Sequence, residues 1–366
     1  MKASKELLLR YLEFLFVEGI SIKKKYLLFS RAQSMEAFLN SKASDFSELS
    51  SIYSHAIKEM NSAEIKRKAE EELELCERFE IHILVWESAF FPASLKEIPD
   101  PPLLIFVQGE LEALGQKSPY LSMIGTRRMS VYGRAVVDHC ISNLIPYKPV
   151  IVSGFALGVD TSSHRQALSH GLWTVAVLAT GLGVPYPKEN VPLISQVIKR
   201  GCLISERPYW AQAEKHNFIQ RNRMIAALSE TCLVVESPKK GGSLITAQMA
   251  FDYHRPVYAV PGRIGDLKSE GCLWLIQRKI AEIYTGAAGL SRDLMWRIPE
   301  KQKTLFDTSH ELDHPLLKHF KLGRSMHVED LSELSKQSVG LVQQELTKLE
   351  LQGFITCDQV GFYRFT

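Results

Sequence analysis

The chain has 366 residues, of which 45% are hydrophobic and 23% are charged, and its formal net charge is +3. These values are ordinary for a soluble protein of two or three domains. No apolar run reaches the roughly 18 residues that span a bilayer, and charges interrupt the apolar N-terminus, which excludes a membrane-spanning protein and predicts a cytoplasmic location.

Six cysteines are scattered singly along the chain, without a C-x-x-C pair or a histidine at metal-ligand spacing. They are predicted to be reduced, structural thiols, and no metal or cofactor is expected. The positive charge is concentrated in residues 118–290, where nineteen basic residues face eleven acidic ones. An excess of +8 favours an anionic partner for this segment, although a soluble surface alone would also account for it.

Residues 1–80 carry apolar residues at three- to four-residue spacing and are predicted to form an N-terminal helical domain. From residue 81 to 290, short apolar runs punctuated by Gly and Pro alternate with helical segments. Strands that are apolar on both faces and alternate with helices predict a mostly parallel sheet covered on both sides, which is a doubly wound α/β fold.

The polar stretch 291–313 has no clear periodicity and is predicted to be a linker. Residues 314–366 read as three helices followed by two short strands, the order of a winged-helix domain. The candidate recognition helix in this segment has no positive excess, so a protein-contact or modulatory role is favoured over duplex binding.

Glycines and cations follow several predicted strands, where helix N-termini and free backbone N–H groups can bind anions. Each such turn alone is more often a structural necessity than a binding site, but several on one sheet edge predict an anion pocket. A cationic sequence, Arg221-Asn222-Arg223, is read as the start of the next helix, where it would face the positive helix pole. The turn residues are Gly125, Thr126, Arg127, Arg128 and Ser130; Gly154 and Gly158; and Lys239, Lys240, Gly241, Gly242 and Ser243.

Common nucleotide motifs are absent: no G-x-G-x-x-G follows a strand, and no phosphate-loop signature occurs. Asp160 and His164 share a helix face, but helix capping and ordinary half-burial account for them better than acid–base catalysis. No catalytic residue is predicted.

At these residues the chain resembles the DNA-processing protein A family (DprA, also called Smf). The resemblance covers roughly residues 90–290, through blocks such as IGTRRMSVYGRAV, IVSGFALGVDTSSHRQAL, FIQRNRMIAALS and LVVESPKKGGSLITAQMA. It implies an extended Rossmann-like fold and a non-enzymatic protein that binds single-stranded DNA and dimerises. It also implies loading of the recombinase RecA during natural transformation. Leu157 stands where the family usually has Arg.

The resemblance implies a phosphate-binding surface. It would consist of the glycine turns, the Arg221–Arg223 cluster, Lys215 and Phe218. A single strand also needs flat side chains for base stacking, and Phe155, His216, Phe218 and Tyr132 are candidates. Because Arg221 and Arg223 point roughly 200° apart on a helix, one is expected to meet DNA while the other braces the pocket. Two alternatives stay open: a nucleotide-processing, phosphoribohydrolase-like enzyme, and a winged-helix transcriptional regulator.

Overall fold

The computed structural model describes residues 4–298, 316–317, 325–351, 355–358 and 361–365. The chain divides into two compact units, Met1–Pro299 and Glu300–Thr366. Within the described ranges, no helix combines the length and the apolar character that crossing a bilayer would require.

The first unit begins with five helices, as the apolar spacing of this segment predicts. They are α1 (Lys5–Phe16), α2 (Ile22–Ala32), α3 (Met35–Asn40), α4 (Ser50–Met60) and α5 (Ala63–Arg78). Four of them start after a serine whose hydroxyl accepts an N–H group of the first turn, which satisfies a donor that the helix leaves unpaired. These capping residues are Ser4, Ser21, Ser34 and Ser62.

Strands and helices then alternate along the chain. In order, the elements are β1 (Ile81–Val85), α6 (Ala93–Lys96), β2 (Leu104–Gly109), β3 (Tyr120–Ile124), α7 (Val131–Leu144), β4 (Val150–Ser153), α8 (Val159–Ser169), β5 (Thr174–Val177), α9 (Val191–Val197), β6 (Gly201–Ser205), α10 (Lys215–Leu228), β7 (Thr231–Val234), α11 (Gly242–Asp252), β8 (Val257–Ala259), α12 (Glu270–Gln277), β9 (Glu282–Ile283) and α13 (Ala287–Asp293).

These strands form one nine-stranded sheet in the order β1-β2-β6-β5-β4-β3-β7-β8-β9. The seven strands from β6 to β9 are parallel, whereas β1 and β2 extend the sheet in antiparallel fashion. Along the chain, β4, β5 and β6 are added one after another on one side of β3. The next strand, β7, then pairs with the other side of β3. The carboxyl ends of β3, β4 and β7 therefore meet at a topological switch point, the usual ligand site of such sheets.

Both faces of the parallel sheet are covered by helices. On one face, Val152, Val177 and Val234 pack in a cluster with residues of α10, α11 and α12. On the other face, Leu121 and Ile151 pack with residues of α7, α8 and α13. The predicted mostly parallel, doubly wound α/β fold is thereby confirmed.

The N-terminal helices share a hydrophobic cluster with the antiparallel end of the sheet. Tyr11, Phe29 and Phe38 of α1, α2 and α3 belong to the same cluster as Ile83 and Phe106 of β1 and β2. The helices and the sheet therefore form one compact unit in this structure. The predicted boundary at residue 80 stays a prediction.

The second unit contains β10 (Met326–His327), α14 (Val328–Ser335), α15 (Val339–Leu351), β11 (Ile355–Cys357) and β12 (Phe362–Phe365). Its strands form an antiparallel sheet in the order β10-β12-β11. Leu331, Val342 and Leu346 pack with Ile355 and Tyr363 in its core. The predicted linker covers 291–313, but residues 291–293 belong to α13. The rest of that linker beyond residue 298, and most of the first of the three predicted helices, lie outside the described residues, so the winged-helix interpretation stays a prediction.

A buried carboxyl group joins α5 to the segment between β6 and α10. Glu72 is buried, and its Oε1 accepts a 2.6 Å hydrogen bond from the backbone N–H of Tyr209. Burial raises the pKa of Glu72 from 4.5 to about 7, although this hydrogen bond acts in the opposite direction. The folded protein thus holds this proton more tightly than the unfolded chain does, and the resulting stability is full below pH 4.5 and lost as the pH rises through 7.

We therefore expect Glu72→Gln to remove part of the loss of stability between pH 5 and pH 8. The glutamine keeps an acceptor for Tyr209 and cannot ionise, so the free energy of unfolding should fall with pH by less than in the wild type, by on the order of 2 kcal/mol. Urea unfolding at both pH values measures this. The control is Glu74→Gln, an exposed carboxylate on the same helix, and equal pH dependence in wild type and Glu72→Gln would contradict the prediction.

Candidate functional site

The turn after β3 carries the first predicted phosphate-binding residues. Gly125 leaves no room for a side chain, since a Cβ there would lie 2.6 Å from Val159 Cγ2 and 2.8 Å from the carbonyl oxygen of Glu236. Arg127 and Arg128 are exposed at the tip of the turn. The backbone N–H of Thr126 donates to the Glu236 carbonyl oxygen at 2.7 Å, which joins this turn to the one after β7.

Ser130 has a structural role in this turn. Its Oγ accepts the N–H of Gly133 at 3.0 Å and caps α7, and it also donates to a carboxylate oxygen of Glu236. Its own N–H donates to the second oxygen of that carboxylate at 2.8 Å. The hydroxyl that the sequence offers to a phosphate is thus already engaged inside the protein.

The turn after β4 touches the turn after β3. Gly158 has a φ of 81°, and a Cβ there would lie 2.3 Å from the carbonyl oxygen of Thr126, so only glycine permits this contact. At the start of the same turn, the N–H of Gly154 donates to Asp160 Oδ2 at 3.1 Å. Phe155 is completely buried, and its suggested role as a stacking platform is therefore wrong.

The turn after β7 supplies a second group of cations. Lys239 and Lys240 are exposed, and Gly241 precedes α11 without a side-chain cap. Gly242 is the exposed first residue of that helix, whose first N–H groups are thus uncapped by a side chain. The Ser243 hydroxyl donates to Ser237 Oγ at 2.8 Å. The structure therefore brings the three predicted glycine turns together at the switch point.

The arginine pair of α10 lies elsewhere than expected. The helix begins at Lys215, so Arg221 and Arg223 are in its middle, and the prediction that they open the helix is wrong. Residues 215–220 contain no proline or glycine that would delay the helix start. Among the basic residues of α10, only Lys215 and His216 lie in the first turn, near the positive end of the helix dipole.

Both guanidinium groups of the pair are used inside the protein. Arg221 is 5% exposed and donates from Nη1 to the carbonyl oxygens of Gly154, at 2.6 Å, and Val177. Its Nε donates to Asn222 Oδ1 at 3.2 Å. Arg223 is 2% exposed and points the other way, where it pairs with Glu206 at 2.6 Å and with Asp100 at 3.1 Å. Both arginines brace the site from beneath in this structure, and direct contact with DNA stays a prediction.

Three titratable groups are buried under the turns. Burial raises the pKa of Asp160 to about 6, and the nearby Arg221 guanidinium opposes this effect. Burial also lowers the pKa of His164 to about 3, helped by the charge of Arg221, and lowers the pKa of Arg221 itself to about 10. His164 Nδ1 lies 2.7 Å from Thr174 Oγ1. His164 is thus neutral and fully buried, not half-buried as the sequence suggested, and this position does not suit a proton shuttle.

An aromatic and cationic cluster lies above this buried layer. The Arg127 guanidinium lies over the Phe218 ring, 5.4 Å from its centroid. Tyr186 contacts the same ring edge-on at 5.6 Å, and its side chain is exposed. Sequence reasoning missed Tyr186, and the signal that could have found it was the turn GLGVPYP after the strand at 174–177.

The exposed side chains of this region, together with the half-buried Phe218, form what we call the switch-point surface. Its cations have no ion pair within the described part of the chain, and no group of acidic, histidine or cysteine residues there is arranged to hold a metal. Unpaired cations beside accessible ring faces suit an anion that also carries flat groups. The surface consists of Arg127, Arg128, Lys215, Lys239, Lys240, Phe218 and Tyr186.

The buried arginine should matter for stability, whereas the exposed ones should not. We expect Arg221→Met to lower the free energy of unfolding by about 3 kcal/mol, because two buried carbonyl oxygens lose their donor and buried Asp160 loses the nearby positive charge. Denaturant unfolding at pH 7.5 measures this. Arg128→Met is the matched control on the exposed turn and should unfold like the wild type. Equal stability of the two variants would show that the Arg221 contacts contribute nothing.

Comparison with known proteins identifies the family. The sequence profile of DNA recombination-mediator protein A matches residues 82–295. The chain is 36% identical to DNA processing protein DprA of Bacillus subtilis over 60% of this chain and 72% of that protein, and 33% identical to protein Smf of Escherichia coli over 77% of each.

Solved structures agree with the sequence matches. DprA of Streptococcus pneumoniae superposes with a TM-score of 0.66 at 30% identity, over 82% of this chain and 100% of that chain. DprA of Helicobacter pylori, whose structure was described for its single-stranded DNA binding mode, superposes with a TM-score of 0.54 at 27% identity, over 59% of this chain and 96% of that chain. The chain belongs to the DNA recombination-mediator protein A family.

Proposed function

We propose that this protein binds single-stranded DNA on the switch-point surface and acts as a recombination mediator rather than as an enzyme. The observation that carries the proposal is the Arg127 guanidinium held over the Phe218 ring, beside exposed cations without ion pairs in the described residues. A strand presents phosphates and base faces together, and this pairing of side chains matches both. The single-stranded DNA binding of the H. pylori relative supports the same assignment.

Recognition on this surface would be independent of base sequence. Lysines and arginines neutralise phosphates, and every base offers a ring face to Phe218 or Tyr186. Specific readout would instead need side chains that form paired hydrogen bonds with base edges. The uncapped start of α11 adds backbone N–H groups beside Lys239 and Lys240, which favours an anion there.

The finer parts of the proposal concern the partners. We place the protein in the cytoplasm, where it would protect incoming single-stranded DNA and load RecA during natural transformation; the name of the matched family supports a mediator role. All six cysteines are free thiols, as suits a reducing compartment. Two copies would associate as a homodimer. Among the described strands, β9 ends the sheet with Ile283 half exposed, and such an edge is suited to pairing with a second copy.

We expect Arg127→Gln to weaken the binding of a labelled oligo-dT by about tenfold, because one phosphate contact and the cover of the Phe218 ring are lost. The slope of log affinity against log salt should become shallower by about 0.7. Fluorescence anisotropy over a salt series measures both quantities.

Two further variants serve as comparisons for Arg127→Gln. Lys117→Gln removes an exposed charge just before β3, at the opposite edge of the sheet, and should bind like the wild type. Phe218→Leu should weaken binding without changing the salt slope, because it removes stacking but no charge. Tight binding that survives Arg127→Gln with an unchanged slope would refute the site assignment.

For recombinase loading, we expect the wild type to speed the nucleation of RecA on a strand already coated with single-strand-binding protein. Arg127→Gln should show a smaller effect because it holds the strand about tenfold more weakly, while Lys117→Gln should keep the full effect. The lag before RecA-dependent ATP hydrolysis measures nucleation. A wild type that binds the bare strand but leaves the lag unchanged would argue against the mediator role and leave the DNA site intact.

A further inference from the structure

A second cationic feature lies beside the switch-point surface. A cleft of about 420 Å³ lies where α7, α8 and the turn after β3 come together, and its lining includes Arg127, Arg128, Arg134 and Arg165. We call it the arginine cleft. Arg134 comes from the first turns of α7 and Arg165 from the middle of α8. Two separate helices thus add guanidinium groups to those of the glycine turn.

None of these guanidinium groups is matched by an acidic partner among the residues that the structure describes. All four arginines are exposed, and none forms an ion pair within the described part of the chain. The acidic residues that line the cleft are Asp138 and Glu189, so four positive charges face two negative ones. Like charges gathered at one cleft repel each other, and an anion bound between them would relieve that repulsion.

One acidic group in the cleft is itself unsatisfied. Asp138 lies four residues after Arg134 on α7, a spacing that allows an ion pair, yet none forms. Its Oδ1 is buried and has no hydrogen-bond partner. The arginines therefore line the cleft without pairing with this carboxylate, and their charges are available to a ligand.

The lining also indicates which part of a strand the cleft would take. Among the described residues that line it, none is aromatic, and the others include Thr161, Ser162 and Gln166. Without a ring for stacking, the cleft offers nothing to a base face, whereas guanidinium groups bind phosphate oxygens in paired hydrogen bonds. Arg127 belongs to both regions, since it covers Phe218 and also lines the cleft.

We propose that the arginine cleft binds the phosphodiester backbone of the same DNA strand where it leaves the switch-point surface. This inference rests on the proposed single-stranded DNA binding and extends it. The strand passes from Phe218 and Tyr186, where bases stack, across Arg127 into a region that holds phosphates alone. Longer strands should therefore gain affinity from Arg134 and Arg165, while the shortest strands that bind should not reach them.

The test is Arg134→Gln/Arg165→Gln, measured by anisotropy with oligo-dT from about 4 to about 16 nucleotides, the range that single-strand binding sites cover. On the longest oligonucleotide we expect about tenfold weaker binding and a salt slope shallower by about 1.4, from two lost phosphate contacts. On the shortest oligonucleotide that the wild type binds, affinity should be unchanged. Both side chains are exposed, so the thermal melting curve should match that of the wild type.

The charge-matched control is Lys117→Gln/Lys148→Gln, which removes two exposed cations near the starts of β3 and β4, at the far edge of the sheet. It should bind every length like the wild type. An arginine double variant that binds long strands with wild-type affinity and slope would overturn the proposal, and so would equal losses at all lengths. If the arginine double variant loses affinity only for 5′-phosphorylated strands, then the cleft binds a terminal phosphate and not the phosphodiester backbone, which would also overturn the proposal.

The results with Arg127→Gln distinguish failure of the arginine cleft from failure of the proposed DNA binding on the switch-point surface. If the wild type binds no single strand, or if Arg127→Gln leaves binding intact, then the switch-point assignment fails on its own. If Arg127→Gln weakens all lengths while the arginine double variant weakens none, then the switch-point surface stands and the arginine cleft is excluded.

Discussion

The buried guanidinium of Arg221 holds the site together. It bonds the carbonyl oxygens that end β4 and β5, while Asp160 beside it accepts N–H groups of the turn after β4. A buried cation is tolerated only with such partners, and these partners are the backbone of the turns themselves. The positions of the glycine turns, and hence of Arg127 above them, therefore follow from one ionic and hydrogen-bonded layer.

That layer explains how the molecule tolerates so many cations in a small area. Arg221 and Arg223 are matched by acidic groups within the protein, so they add little net charge to the surface above them. Arg127, Arg128, Lys239 and Lys240 stay in water, where solvation screens their repulsion. The inner pair stabilises the fold and the outer cations stay unpaired among the described residues, so the two sets have different roles although Arg127 lies near enough to Arg221 to affect its pKa.

Much of the fold could be predicted because strand and helix periods differ and glycines mark the turns. The convergence of turns after β3, β4 and β7 followed from parallel topology alone. The start of α10 could not be predicted, since Glu214 at its N-cap makes no side-chain capping bond and gives no strong start signal. Phe155 and Tyr186 each lie in a glycine-containing turn after a strand, and the sequence does not distinguish a buried ring from an exposed one there. Packing decides that one is buried and the other exposed.

Tyr209 connects parts of the chain that are far apart in sequence. Its ring stacks on Phe79 at 4.9 Å, and its carbonyl oxygen accepts the N–H of Gly183, in the turn that leads to Tyr186. A Cβ on Gly183 would lie 2.3 Å from the same ring. The end of α5 and the aromatic side of the switch-point surface are thus supported by the same residue, Tyr209. A chain shortened to the sheet alone would lose the Phe79 contact that supports Tyr209, so the N-terminal helices help to hold the turn that leads to Tyr186.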